Sequence, residues 1–325
     1  ALGCRPEEIF FTSGGTESNN HAIRGALSAL ANQGNHVITS AVEHPAVLEV
    51  CRFLEKKGAA ITYLPVDSFG MVDPASVENA VTPDTVLISI MHANNEVGTI
   101  QPIEKIAEIA KRHQILFHTD CAQTVGKIPV KVDDLGVDLL SVAGHKIYAP
   151  KGIGALYIRN GVQIDQLMLG AGQESGMRAG TENVIFSVAL GEACALVDQN
   201  IQDHSNHMRA SRDRLEAQIL SRSPDTRTNG HPDQRLLNTS SLSFKGLKAN
   251  EILDSLESVA ASAGAACHRG SITLSSVLEA MKVPIGFAMG TIRFSTGRYT
   301  TEEEIDQAAD EVCNVVGRLA RQVVG

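Results

Sequence analysis

The chain has 325 residues, 43% of them hydrophobic, with a formal net charge of -9. That is enough for a large buried core, and chains of this size tend to divide into two domains. The acidic balance and the absence of any run of like charge exclude a nucleic-acid surface or a polybasic membrane patch, so the expected partners are small molecules and proteins. No uninterrupted apolar run approaches the ~20 residues needed to cross a bilayer, and ALGCRPEEIF lacks the pattern of an export signal.

Short apolar, β-branched runs come first and recur along the chain at Ile9–Phe11, His36–Thr39, Ala60–Leu64, Val86–Ile90, Ile115–His118, Leu139–Val142 and Ala155–Ile158. Between them, Ala46–Lys57, Pro74–Val81 and Ile103–His113 carry apolar residues three and four apart, which predicts helices. This alternation predicts an α/β fold with a mostly parallel central sheet and helices on both faces. After Asn183 the spacing predicts a long helix to about Arg222, then a loop rich in Pro, Gly and Asn over Ser223–Asn238, a strand near Ser240–Phe244 and further helical segments. The expected domains are residues 1–200, a large ligand-binding domain, and residues 201–325, a smaller C-terminal α+β domain.

Three strand ends carry candidate chemistry. Thr12–Asn19, directly after the first strand, contains Gly14, Gly15 and Thr16, and such a turn lets backbone N–H groups surround a phosphate at a helix N-terminus. An ordinary capped helix reads much the same way. Asp120 closes the Ile115–His118 strand, where it either caps a turn or faces a protonated ring nitrogen, and Gln123 stands three residues on. Lys146, after the Leu139–Val142 strand, is an amine at a strand end suited to carbonyl chemistry, although most lysines are solvated charges. The six cysteines are scattered singly, which favours reduced thiols in a cytoplasmic compartment, and no residue pattern suggests a metal site.

Taken together in this order, TSGGTESN, EHPAV, ANNEVGTIQPI, HTDCAQ, GHKIYAPKGIGALY, GMRAGTEN and SAGAACH with TIRFSTGR resemble the cysteine desulfurase and selenocysteine lyase family. This is a class V aminotransferase group of pyridoxal 5'-phosphate enzymes with the type I transferase fold. The resemblance implies that Lys146 holds the cofactor, that Asp120 faces the pyridine nitrogen and Gln123 the phenolic oxygen, and that His44 stacks on the ring and helps move protons. It implies phosphate contacts from Gly15, Thr16, His145 and, across a homodimer, Thr181. Asn95 is expected against ring or substrate, Arg293 on the substrate carboxylate, and Cys267, in a loop of small residues, as the catalytic thiol. Cys121, beside Asp120, is read as a buried small hydrophobe.

The implied reaction converts L-cysteine to L-alanine and leaves the sulfur on Cys267 as a persulfide, for a sulfur-acceptor protein in iron–sulfur cluster assembly. The alternatives are a selenocysteine lyase acting on L-selenocysteine, or a catalytically impaired cofactor-binding fragment. The fragment reading comes from the family's additional N-terminal segment, which precedes the position where this sequence opens. Ala143 stands where many desulfurases have a serine, which removes one phosphate hydroxyl, worth roughly 0.5–1.5 kcal/mol.

Overall fold

The structure is a computed structural model that describes residues 1–268 and 271–324, with the side chains of 265–268, 271–273, 323 and 324 outside the description. The chain forms two compact units. The first comprises residues 1–66, 72–94 and 101–201, and the second comprises 67–71, 95–100 and 202–325. The main division thus falls next to residue 200, but two short excursions, one of them carrying Asn95, belong to the second unit.

The first unit is built on a seven-stranded sheet of β1 (Ile9–Thr12), β2 (His36–Ser40), β3 (Ala60–Leu64), β4 (Thr85–Ser89), β5 (Leu116–Asp120), β6 (Leu139–Ala143) and β7 (Gly154–Ile158). Their spatial order is β1-β7-β6-β5-β4-β2-β3. The strand β7 pairs antiparallel with both neighbours, while the pairs from β6 through β5, β4 and β2 to β3 are parallel. The carboxyl ends of β1, β6, β5, β4 and β2 therefore share one edge of the sheet, where open α/β sheets bind ligands.

Every residue of β2, β4, β6 and β7 is buried, and the pleat explains how. Val37, Leu87 and Leu139 join one core with Ala22, Ile23 and Ala26 of α1 (Gly15–Ala29) and Val47 and Val50 of α2 (Pro45–Glu55). Their immediate neighbours Ile38, Ile88 and Leu140 point to the other face. There they meet Val77 of α3 (Pro74–Ala80), Ile103, Ile106 and Ile109 of α4 (Ile103–His113), and Val132 and Leu135 of α5 (Val132–Leu135). The ends of α4 follow its sequence: Lys111, Arg112 and His113 complement the dipole of the last turn, and Gln114 closes it in the left-handed conformation.

The long helix α6 (Val184–Arg222) begins in the first unit and passes into the second at Gln202. Its first turns leave Val184, Ile185 and Val188 between 65% and 78% exposed. By length and composition α6 is apolar enough to cross a membrane, although Glu192 and Asp198 interrupt its apolar run.

The second unit carries an antiparallel sheet of β8 (Thr226–Asn229), β9 (Thr239–Phe244), β10 (Ser262–Ala263) and β13 (Thr291–Ser295), in the order β10-β13-β9-β8. A two-stranded ribbon pairs β11 (Ala265–His268) with β12 (Ser271–Leu274). Leu242, Phe244, Ile292 and Phe294 form its core with Leu215 and Ile219 of α6, Ile252 of α7 (Ala249–Leu253), and Ile305, Ala309 and Val312 of α10 (Glu302–Val324). The short helices α8 (Ser276–Ala280) and α9 (Ile285–Ala288) complete it.

Two expectations need correction here. The segment Ser223–Asn238 contains the edge strand β8, whose polar residues give no apolar signal and which exists because β9 pairs with it. The small-residue loop expected around Cys267 is, in its backbone, the strand β11.

Candidate active site

The anion cradle follows from glycine at two successive positions. Gly14 is the N-cap of α1 with a φ of 150° and, as a glycine, supplies no side-chain cap, which leaves the positive end of the helix dipole available to an anion. A Cβ on Gly15 would stand 3.2 Å from Cβ of Ala143, at the end of β6. The cradle is therefore pressed against the strand that delivers His145 and Lys146. Thr16, in the first turn of α1, is exposed, as are His145 and Lys146 on the 3-10 turn Gly144–Ile147.

Asp120 is the last residue of β5 and is 6% exposed. Its Oδ1 accepts from the Ala122 N–H at 2.8 Å and its Oδ2 from Nδ2 of Asn19 at 2.7 Å. Asn19 lies on α1 and is fully buried, so one amide joins α1 to the acid at the sheet edge. Burial raises the Asp120 pKa, while the two hydrogen bonds and the charges of His44 and Lys146 act in the opposite direction. A protonated ring nitrogen beside this carboxyl would add to that opposing side and favour the carboxylate.

His44 is the N-cap of α2, and its Nδ1 accepts the Ala46 N–H at 3.1 Å. In the neutral ring the proton therefore sits on Nε2. The exposed ring is carried on a turn bolted to the end of β4. Glu43 accepts the Met91 N–H with both oxygens, at 3.0 and 3.1 Å, and Ser40 Oγ at 2.6 Å, while Nδ2 of Asn94 donates to the Val42 carbonyl at 2.9 Å. Burial, with the charge of Asp120 adding to it, pushes the Glu43 carboxyl up to about 8. Burial thus favours the neutral carboxyl, against the donors from Ser40 and Met91 that favour the carboxylate.

Behind the edge, the fully buried His118 of β5 bonds Ser89 of β4 through Nδ1 at 2.8 Å and Ser141 of β6 through Nε2 at 3.0 Å. Burial holds it neutral, with its pKa down to about 3. The imidazole thereby ties β5, which ends in Asp120, to the strands on both sides of it. Cys121, expected to be a buried hydrophobe, is fully buried, with burial driving its pKa well up and its Sγ 3.6 Å from Nδ1 of the buried His92. It is not a thiolate.

Gln123 is half-buried on the irregular turn after β5 and is contacted by Lys127. Thr181 is exposed in the segment before α6, and Arg178, three residues earlier, is paired to Glu17 of α1 at 2.9 Å. In the second unit, Arg293 of β13 donates from Nη1 to the Asn95 carbonyl at 2.8 Å and from Nη2 to Ser262 Oγ at 2.9 Å, and its buried Nε has no partner among the described residues. The backbone of Cys267 pairs with Ile272, and its side chain lies outside the described residues.

The first unit thus gathers Gly15, Thr16, His44, Asp120, Gln123, His145 and Lys146 along one sheet edge, and the second unit carries Asn95, Arg293 and Cys267. Sequence reading passed over Asn19, Glu43 and Lys127. Asn19 and Glu43 stand inside the motifs TSGGTESN and EHPAV, but only three-dimensional pairing shows their partners. Among the described residues, no group of three or more His, Cys, Asp or Glu side chains forms a metal site.

The edge fits pyridoxal phosphate on its donor chemistry: an uncapped glycine-rich helix start for a phosphate, a buried carboxyl for a pyridinium, and an amine for a carbonyl. The comparisons agree. The profile of class-V aminotransferases matches residues 2–308. The cysteine desulfurase IscS of Dictyoglomus turgidum is 49% identical over 98% of this chain and 82% of its own length, and that of Methanosarcina thermophila 48% over 98% and 79%. Among solved structures, a NifS-like protein superimposes with a TM-score of 0.91 at 37% identity, covering 97% of this chain and 84% of its own. SspA in complex with cysteine gives a TM-score of 0.79 at 39% identity, with 92% and 84% covered. With its sheet-edge site and these relatives, the chain belongs to the class-V aminotransferase family and, within it, to the cysteine desulfurases.

Proposed function

We propose that the protein is a pyridoxal-phosphate-dependent cysteine desulfurase that converts L-cysteine to L-alanine and retains the sulfur on Cys267 as a persulfide. The observation that carries this reading is the buried Asp120 at the end of β5, held by Asn19 from the phosphate helix and within the field of Lys146 and His44. SspA, at 39% identity, was solved with cysteine, which supports the same substrate here.

When bound, the cofactor supplies an electron sink for the charge left when the substrate loses its Cα proton. Asp120 would keep the ring nitrogen protonated, and Gln123 would donate to the phenolic oxygen. Lys146 would hold the cofactor through its amine and would move the substrate's Cα proton. His44, with its proton on Nε2, assists that transfer. Gly15, Thr16 and His145 hold the phosphate, joined by Thr181 from the second subunit of a homodimer. Arg293 holds the substrate α-carboxylate through its planar fork, and Asn95 orients the bound substrate. The Cys267 thiolate takes the sulfur: its S–S bond forms as the substrate C–S bond breaks, and protonation of the remaining carbon gives alanine.

The exposed Val184, Ile185 and Val188, with Leu169 84% exposed, support the homodimer, because apolar surface of this kind is normally covered. The second copy is the proposed occupant. Among the described residues the thiols of Cys4, Cys51, Cys121, Cys194 and Cys313 are unpaired, which fits a reducing cytoplasmic compartment. The persulfide is passed to an acceptor protein, and the role proposed for that sulfur is iron–sulfur cluster assembly.

The test is release of alanine and sulfide from L-cysteine with added pyridoxal phosphate and reductant. The parent chain is active, and Lys146→Ala and Cys267→Ala each abolish release. A parent chain that binds the cofactor yet releases neither product overturns the reading.

A further inference from the structure

The motif HTDCAQ is followed by Thr124-Val125-Gly126-Lys127, which has no part in the mechanism proposed for the site. Lys127 is 8% exposed, an unusual place for an ammonium. Its Nζ donates to the Gln123 carbonyl at 2.8 Å and to Oε1 of the same residue at 3.3 Å. The turn is pressed into the site by its glycine: Gly126 has a φ of +80°, and a Cβ there would stand 2.6 Å from Cγ2 of Ile147, the residue after Lys146. Lys127 also acts on the neighbouring phosphate residue, since its charge, with those of Lys146 and Lys151, adds to burial in lowering the His145 pKa.

An ammonium has three donors and no acceptor. The amide atom of Gln123 that faces Lys127 is therefore the oxygen, which leaves the Nε2 donors for another group. A free glutamine amide flips readily between its two orientations, whereas this one is held in one of them by a buried charge. We propose that Lys127 is a positioning residue for the cofactor: it fixes the Gln123 amide so that Nε2 donates to the phenolic oxygen. The inference rests on the pyridoxal-phosphate reading and on the role that reading gives Gln123. It explains why a charged side chain is buried there at all. A lysine that merely capped the turn would need only the backbone carbonyl of Gln123, whereas donation to the side-chain amide as well couples the ammonium to the cofactor contact.

The test compares the dissociation constant for pyridoxal phosphate and the absorbance maximum of the bound cofactor in the parent, Gln123→Ala, Lys127→Met and the double variant. Each single substitution is expected to weaken binding roughly tenfold, the worth of one charge-assisted hydrogen bond. Each should move the absorbance maximum in the same direction. The double variant should be no weaker than Gln123→Ala alone, because Lys127 acts through Gln123.

Multiplying losses in the double variant, or a Lys127→Met protein with the parent's affinity and spectrum, overturn the proposal while leaving the Gln123 assignment intact. If Gln123→Ala itself leaves affinity and spectrum unchanged, that assignment falls and the proposal falls with it. Should Lys127→Met fail to fold, Lys127→Gln replaces it. Its amide can turn either atom to Gln123, so the spectrum should move as in Gln123→Ala, and a parent-like spectrum overturns the proposal.

Discussion

Replacing Glu43 by glutamine isolates a buried carboxyl that the fold keeps neutral. In the unfolded chain its pKa is the ordinary 4.5, and in the folded protein burial lifts it to about 8. Between these values the folded state holds a proton that the unfolded state has released. Stability contributed at Glu43 is therefore present below pH 4.5, falls as the pH rises, and is gone above pH 8. At about 1.36 kcal/mol per pH unit the whole change is roughly 3–5 kcal/mol. Glutamine has nearly the same shape, still accepts the Met91 N–H, turns its NH2 to the Ser40 hydroxyl, and does not titrate. Urea unfolding of the cofactor-free parent and of Glu43→Gln at pH 5, 7 and 9 should show the two close at pH 5 and the variant ahead by several kcal/mol at pH 9. Parallel curves across that range would mean that Glu43 is ionised in the folded protein and that the reasoning from burial is wrong.

Asn19→Ala removes the donor to the buried Asp120 carboxyl; a hydrogen bond to a charged group is worth about 1.5–3 kcal/mol, and equilibrium dialysis should show at least roughly tenfold weaker retention of pyridoxal phosphate. His118 behaves in the opposite sense to Glu43: its pKa is about 3 folded against 6.5 unfolded, so its contribution is full above pH 6.5 and is lost as the pH falls toward 3. His118→Gln should be less stable than the parent at pH 7 yet lose less on acidification, and equal acid slopes in urea melts would contradict this. Gly126→Ala places a methyl 2.6 Å from Ile147 Cγ2 at a φ of +80°. It should cost about 1–3 kcal/mol in thermal unfolding, and cofactor retention should fall with it because the Lys127 turn and the Lys146 turn are displaced together.

The sheet of the first unit was legible because its strands are buried on both faces. Continuous apolar runs such as Leu139–Val142 announce themselves whatever their partners, and the helices between them carry a stripe of the right period. The antiparallel sheet of the second unit was less so. Thr226–Asn229 reads as turn, and becomes β8 only because Asn229 Nδ2 reaches Ser243 at 2.7 Å and the backbone pairs with β9. No local pattern states that pairing. The same holds for the short excursion carrying Asn95, which is adjacent in sequence to Asn94 of the first unit but packs with the second.

At the site, legibility stops at the residues whose chemistry is particular to their type. A lysine or an acid at a strand end, or two glycines before a helix, carries a chemical meaning that survives without coordinates. Asn19, Glu43, His118 and Lys127 carry none until their partners are known, because three act by pairing across elements (α1 to β5, the β2–α2 turn to the end of β4, and β5 to both neighbours) and Lys127 by pairing within its turn. All four are nine-tenths or more buried, and each makes a hydrogen bond to a group proposed to meet the ligand or to an element beside such a group. A polar side chain so placed is costly unless satisfied. The site therefore has a second layer in which polar burial is stabilised by fixing the first, and that layer is where substitutions that touch no ligand should alter cofactor affinity.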